Sequence, residues 1–81
     1  MKLIKKKVLF VDDEKSILMS LRDFLQSDDY ETFGTTNVSE ALRYCQENDV
    51  DLVLSDLSMS DMSGIEFLKK VKIIRPLATR I

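Results

Sequence analysis

Short apolar runs alternate along this chain with stretches of helical apolar spacing, and that alternation constrains the fold more than any other feature. "KVLFVDD", residues 7–13, is a β-branched and aromatic run that ends in two acids. Its nearly continuous apolar character predicts a strand covered on both faces, as in a parallel sheet. From Glu14 to Ser27, Ile17, Leu18, Leu21, Phe24 and Leu25 recur at helical spacing. "YETFGTT", residues 30–36, predicts a second strand. A helix is expected from Asn37, with Glu40 at the capping-box position and Val38, Ala41, Leu42 and Cys45 as its apolar stripe. Residues 51–55 read as a third strand. Ser63 and Glu66 repeat the capping-box pattern and open a helix through Ile65, Phe67, Leu68, Val71 and Ile74, which Pro76 ends. Residues 78–81 begin a fourth strand.

This order predicts a parallel α/β sheet with right-handed crossovers. In such sheets, sites form beyond the carboxyl ends of the strands. Asp12 and Asp13 end the first strand and Asp56 ends the third. If those strands are neighbours, three carboxylates meet at one edge. Like charges ~5 Å apart at an effective dielectric near 20 repel by roughly 3 kcal/mol. The chain contains no histidine. A hard divalent cation would relieve the repulsion, and Mg²⁺ is typically held by one or two carboxylates together with phosphate oxygens. One aspartate could then attack phosphorus and form an aspartyl phosphate, with the protein supplying mainly positioning and charge neutralisation.

Composition narrows the field further. At 81 residues the chain is at most one small domain. Twelve Lys and Arg against fourteen Asp and Glu, a net charge of -2, give no general attraction to nucleic acid. Cys45 is the single cysteine and cannot form an internal disulfide, which points to a reducing compartment. No apolar run approaches the ~18 residues of a membrane-spanning helix. The Lys-rich start lacks the apolar core of a signal peptide. A cytoplasmic location is expected, without membrane or direct nucleic-acid binding.

"VLFVDDE" followed by "LVLSDLSMSDMSG" resembles the receiver domain of bacterial two-component response regulators. The spacing from Asp13 to Asp56 and the later D-x-x-M-x-x-M-x-G pattern both fit, and the likeness runs from Lys7 to the end of the chain. The resemblance implies a flavodoxin-like parallel sheet of strand order 2-1-3-4-5 with helices on both faces. Residues 1–81 would be a receiver fragment ending at the start of the fourth strand. It implies Asp56 as phosphoacceptor, Asp13 as a direct Mg²⁺ ligand, Asp12 holding the ion largely through water, and the Ser58 backbone carbonyl as a further ligand. It implies a sensor histidine kinase or a small phosphate donor as the source of the phosphoryl group, and autocatalysed phosphorylation and dephosphorylation rather than conventional enzyme turnover.

There are departures. Where the family usually has proline after the first methionine of this loop, the chain has Ser60. The family's switch Ser or Thr follows the fourth strand and its phosphate-binding lysine follows the fifth. Thr79 lies too early to match the first, and Lys69, Lys70 and Lys72 do not match the second. An open sheet edge through Leu52, Val53 and Leu54 is expected, and with it homo-oligomer formation through that edge.

Plainer readings exist for each residue. Asp12, Asp13 and Glu14 suit a helix start, and Asp56 alone suits a turn. Met59 and Met62 read as loop packing and Cys45 as a small core residue. Lys5, Lys6 and Lys7 read as a solvated lead-in, and Glu66 with Lys70 as a surface pair. Two other functional classes compete. A haloacid dehalogenase-like phosphatase would need a second acid two residues after its nucleophile, where this chain has Ser58. A phosphorylation-independent interaction or oligomerisation module needs none of the acids.

Overall fold

The computed structural model describes residues 5–25, 29–56, 59 and 62–81. Its elements are β1 (Lys6–Val11), α1 (Lys15–Leu25), β2 (Tyr30–Thr35), α2 (Val38–Glu47), β3 (Leu52–Ser55), α3 (Gly64–Ile74) and β4 (Thr79–Arg80). The strands form one sheet of order β2-β1-β3-β4, and every pair is parallel.

β1 is central because its sequence suits burial on both faces. Val8, Leu9, Phe10 and Val11 are all buried. Leu9 and Val11 join Val53 on one face, against Val38, Ala41 and Cys45 of α2 and Phe67 and Val71 of α3. Phe10 faces the other way, toward α1. A Cβ on Gly34 of β2 would stand 3.3 Å from the Phe10 ring and 3.5 Å from Leu18 Cβ of α1, so a larger residue there would force its neighbours to give. Phe33, beside Gly34, points to the α2 side and stacks on Tyr44, with centroids 4.5 Å apart and planes 3° apart.

The caps act where the sequence places them. Asn37 accepts from the Glu40 amide at 2.9 Å, and Ser63 from the Glu66 amide at 3.2 Å. Asn37's own amide donates to Thr35 Oγ1 at 3.0 Å, so that donor is satisfied from β2. α3 runs from Gly64 to Ile74 as expected, and Arg75 caps it ahead of Pro76.

Two expectations, the end of β1 and the open edge at β3, need correction, and α1 is more exposed than its spacing alone shows. β1 stops at Val11, leaving Asp12 and Asp13 beyond the ladder. α1 buries no residue completely: Ile17 is 41% and Phe24 85% exposed, so its apolar stripe is only partly covered. β3 is not the open edge. Leu52 and Val53 pair with Thr79 and Arg80, and Ile81 extends the ladder through its amide to Val53 O at 2.9 Å and its carbonyl to Ser55 N at 3.0 Å.

Arg75 joins the ends of the two helices. Its Nε donates to Cys45 O at 2.8 Å and its Nη2 to Gln46 O at 3.3 Å, capping the last carbonyls of α2, while Nη1 pairs with Asp49 at 2.9 Å. A cation suits the partial negative charge at a helix C-terminus.

Candidate functional site

The pairing of β1 with β3 decides where the acids meet. Val11 is opposite Ser55 in the register, so Asp12 and Asp56 follow side by side as the chain leaves the sheet. One more ladder bond carries the alignment beyond the strands: the Asp56 amide donates to Val11 O at 3.0 Å. On the other side, the Asp12 amide donates to Thr35 O at 3.3 Å, fixing the end of β1 to the end of β2. Thr35 is buried, and its hydroxyl also accepts the Asn37 amide. Its part in holding the site was not singled out by the sequence, where it is one of two adjacent threonines closing an alternating run.

The carboxyl groups have distinct surroundings. Asp12 is half-buried, and its Oδ1 accepts the Glu14 amide at 2.9 Å in a turn that starts α1. That is the helix-start role the plainer reading assigns it. Asp13 and Glu14 are exposed, and Asp56 is half-buried. Ser55 Oγ donates to the Asp56 carbonyl at 2.9 Å, which fixes the backbone just after β3.

Asp12, Asp13 and Asp56 supply hard oxygen donors, the chemistry that Mg²⁺ takes. Among the described residues, however, no three acidic, cysteine or histidine side chains stand close enough to form a ready-made metal cage. The backbone brings the three aspartates to one edge without drawing their carboxylates into a closed cluster. Ser58 lies outside the described residues, as do Ser60 and Asp61. Met59 is buried in the core and Met62 packs against it, in keeping with their packing role. Cys45 is likewise a core residue.

The comparisons with known proteins agree with this geometry. Residues 8–81 match the profile of the response regulator receiver domain. Sporulation initiation phosphotransferase F of Bacillus subtilis is 36% identical over 72 residues, which cover 89% of this chain and 58% of that protein. Chemotaxis protein CheY of Thermotoga maritima is 38% identical over 72 residues, which cover 88% of this chain and 60% of that protein. The chain thus spans less than two thirds of the length of these relatives. Among solved structures, a CheY-like receiver domain protein from Methanospirillum hungatei superposes with a TM-score of 0.89 at 31% identity, covering 95% of this chain and 62% of the other. A receiver domain protein from Clostridium thermocellum gives 0.83 at 32% identity, covering 93% and 61%. With its parallel order β2-β1-β3-β4 and its aspartates at the ends of β1 and β3, the chain belongs to the response regulator receiver domain family of two-component signalling.

Proposed function

We propose that Asp56 accepts a phosphoryl group from a sensor histidine kinase or a small phosphate donor, so that the chain works as the switchable receiver of a cytoplasmic two-component relay. The observation that carries this reading is the β1–β3 register, which puts Asp56 beside Asp12 at one edge of the sheet. In the transfer, an Asp56 carboxylate oxygen forms the new bond to phosphorus as the donor's bond to phosphorus breaks and the donor leaves with that electron pair. Asp13 is assigned as the direct Mg²⁺ ligand, with Asp12 acting largely through water and the Ser58 carbonyl completing the protein's share. Mg²⁺, when bound, would neutralise charge on the aspartates and on the incoming phosphoryl oxygens. The β1–β3 and β1–β2 bonds hold the two acidic strand ends at a fixed separation while charge builds on the transferring group.

Mg²⁺ titration followed by amide NMR tests the ion site separately from the transfer. Resonances of Asp12, Asp13 and Asp56 are expected to shift together and saturate, and Asp13→Asn is expected to weaken the binding. Shifts spread over the surface acids, with none at these three, would contradict the assignment.

A second reading, association through the sheet edge, has its own observation. Ile73, Leu77 and Ile81, on and after α3, are 82%, 99% and 66% exposed. Ile81 continues the ladder of the edge strand β4. Exposed apolar groups clustered in this way favour contact with another chain.

A further inference from the structure

The opposite edge of the sheet carries a different feature. β2 is the other edge strand, and a cleft of about 510 Å³ runs between it and α1. Asp29 O accepts from Lys6 N at one end of β2, and Thr35 O accepts from Asp12 N at the other. The two-residue period of a parallel ladder therefore turns the odd-numbered residues of β2 toward β1. The N–H and C=O groups of Tyr30, Thr32 and Gly34 are directed outward, where no described strand lies beyond β2.

The two faces beside this edge differ in chemistry. On the α1 face, the cleft wall carries Lys15 and Arg22, with Leu18 and Met19 between them, and no acid among the described residues lines it. Both cations are concentrated here on a chain whose net charge is -2. Arg22 Nε is 3.8 Å from Asp23, an exposed neighbour pair of little strength that leaves the guanidinium available. The seven-residue separation of the cations spans about 10 Å along the helix. Carboxylates two and four residues apart on one side of a strand lie roughly 7 and 13 Å apart, within reach of these long side chains. On the other face, the half-buried Phe33–Tyr44 stack offers an apolar surface.

We propose that the α1–β2 edge is a docking site for an extended segment of a partner protein that alternates acidic and apolar residues. The segment adds as a strand beside β2, sets its carboxylates on Lys15 and Arg22, and lays its apolar side chains toward Phe33 and Tyr44. Main-chain bonds supply affinity in this mode, and the alternating side chains supply selectivity. The proposal is independent of phosphoryl transfer.

The test is an amide NMR titration of the isotope-labelled chain with the capped peptide Glu-Val-Glu-Val-Glu-Val, with Lys-Val-Lys-Val-Lys-Val as comparison. The acidic peptide is expected to shift the Thr32 and Gly34 amides at millimolar concentration, and the basic peptide to leave them in place. Lys15→Glu with Arg22→Glu should weaken binding by about tenfold or more. Thr32→Pro removes one outward donor without touching the bonds to β1, a substitution edge strands tolerate, and should weaken it comparably. Unmoved Thr32 and Gly34 amides, equal binding of the basic peptide, or indifference to either variant would overturn the proposal.

Discussion

The Asp56 amide donates to the Val11 carbonyl at 3.0 Å, one ladder bond beyond the last paired residues of β1 and β3. This contact fixes the chain direction just before Asp12 and at Asp56. The acidic edge is consequently a property of strand register rather than of side-chain clustering, which predicts how the acids respond when each is changed.

Asp13→Asn should weaken Mg²⁺ binding by about tenfold or more, since it removes the charge of the proposed direct ligand. Asp12→Asn should weaken it less, because the proposed assignment has Asp12 act through water and an amide oxygen can still accept the Glu14 amide that Asp12 Oδ1 holds at 2.9 Å. Calorimetric or NMR titration of both variants checks the order. A larger loss for Asp12→Asn would reverse the assigned roles.

Arg75→Met should destabilise the fold by about 1.5–3 kcal/mol, because it removes charged-donor hydrogen bonds to two carbonyls at the end of α2. Asp49→Asn should cost less than about 1 kcal/mol, since the Asp49 side chain is 92% exposed and exposed ion pairs contribute little. Urea denaturation of the two variants separates a helix cap from a salt bridge. Equal losses would show that the ion pair, not the cap, matters.

Alkaline pH should weaken the fold. Burial pushes the Cys45 thiol above its ordinary value of 9.0, against the opposing pull of Arg75. Burial, then Glu31, raises Tyr44 above 10.0. Above about pH 9 the unfolded chain releases the thiol proton while the folded chain retains it, so stability falls as pH rises through that window. Below pH 9 this contribution is fully present. Denaturation midpoints measured at successive pH values should decline from there upward, and Cys45→Ala should make the first part of the decline shallower.

Much of the fold was legible because local signals and tertiary demands agree. Ser63, Glu66 and Pro76 bracket α3, and the structure places it at Gly64–Ile74. The unbroken apolar run before Asp12 marks the central strand, and the run before Asp56 marks its neighbour. What escaped the sequence depends on distant contacts. Nothing local shows that Arg75 reaches Cys45 O thirty residues away, or that Phe33 stacks on Tyr44. Helical spacing correctly located α1, but it could not show that Phe24 remains 85% exposed, because coverage depends on what packs there. At the site, the aspartates were legible as a motif. The use of Asp12 Oδ1 by the Glu14 amide and the buried anchor at Thr35 were not, since both depend on how β1 meets α1 and β2.

Association through the exposed apolar groups on and after α3 should respond to Ile73 and Leu77. Sedimentation equilibrium is expected to show self-association rising over micromolar concentrations, and Ile73→Lys with Leu77→Lys to shift the chain toward monomer. Both residues are largely exposed, so the substitutions should leave the core intact. A monomer at every concentration would remove this reading without touching the acidic edge.

Acetyl phosphate labelling with Mg²⁺, read by intact-mass spectrometry, tests the role of Asp56 most directly. One phosphoryl group per chain is expected to accumulate. Chelation of Mg²⁺ and Asp56→Asn should each abolish the label while the variant stays folded. Label on Asp56→Asn equal to that on the parent chain, or a folded parent chain that takes none with donor and Mg²⁺ in excess, would contradict Asp56 as the phosphoacceptor.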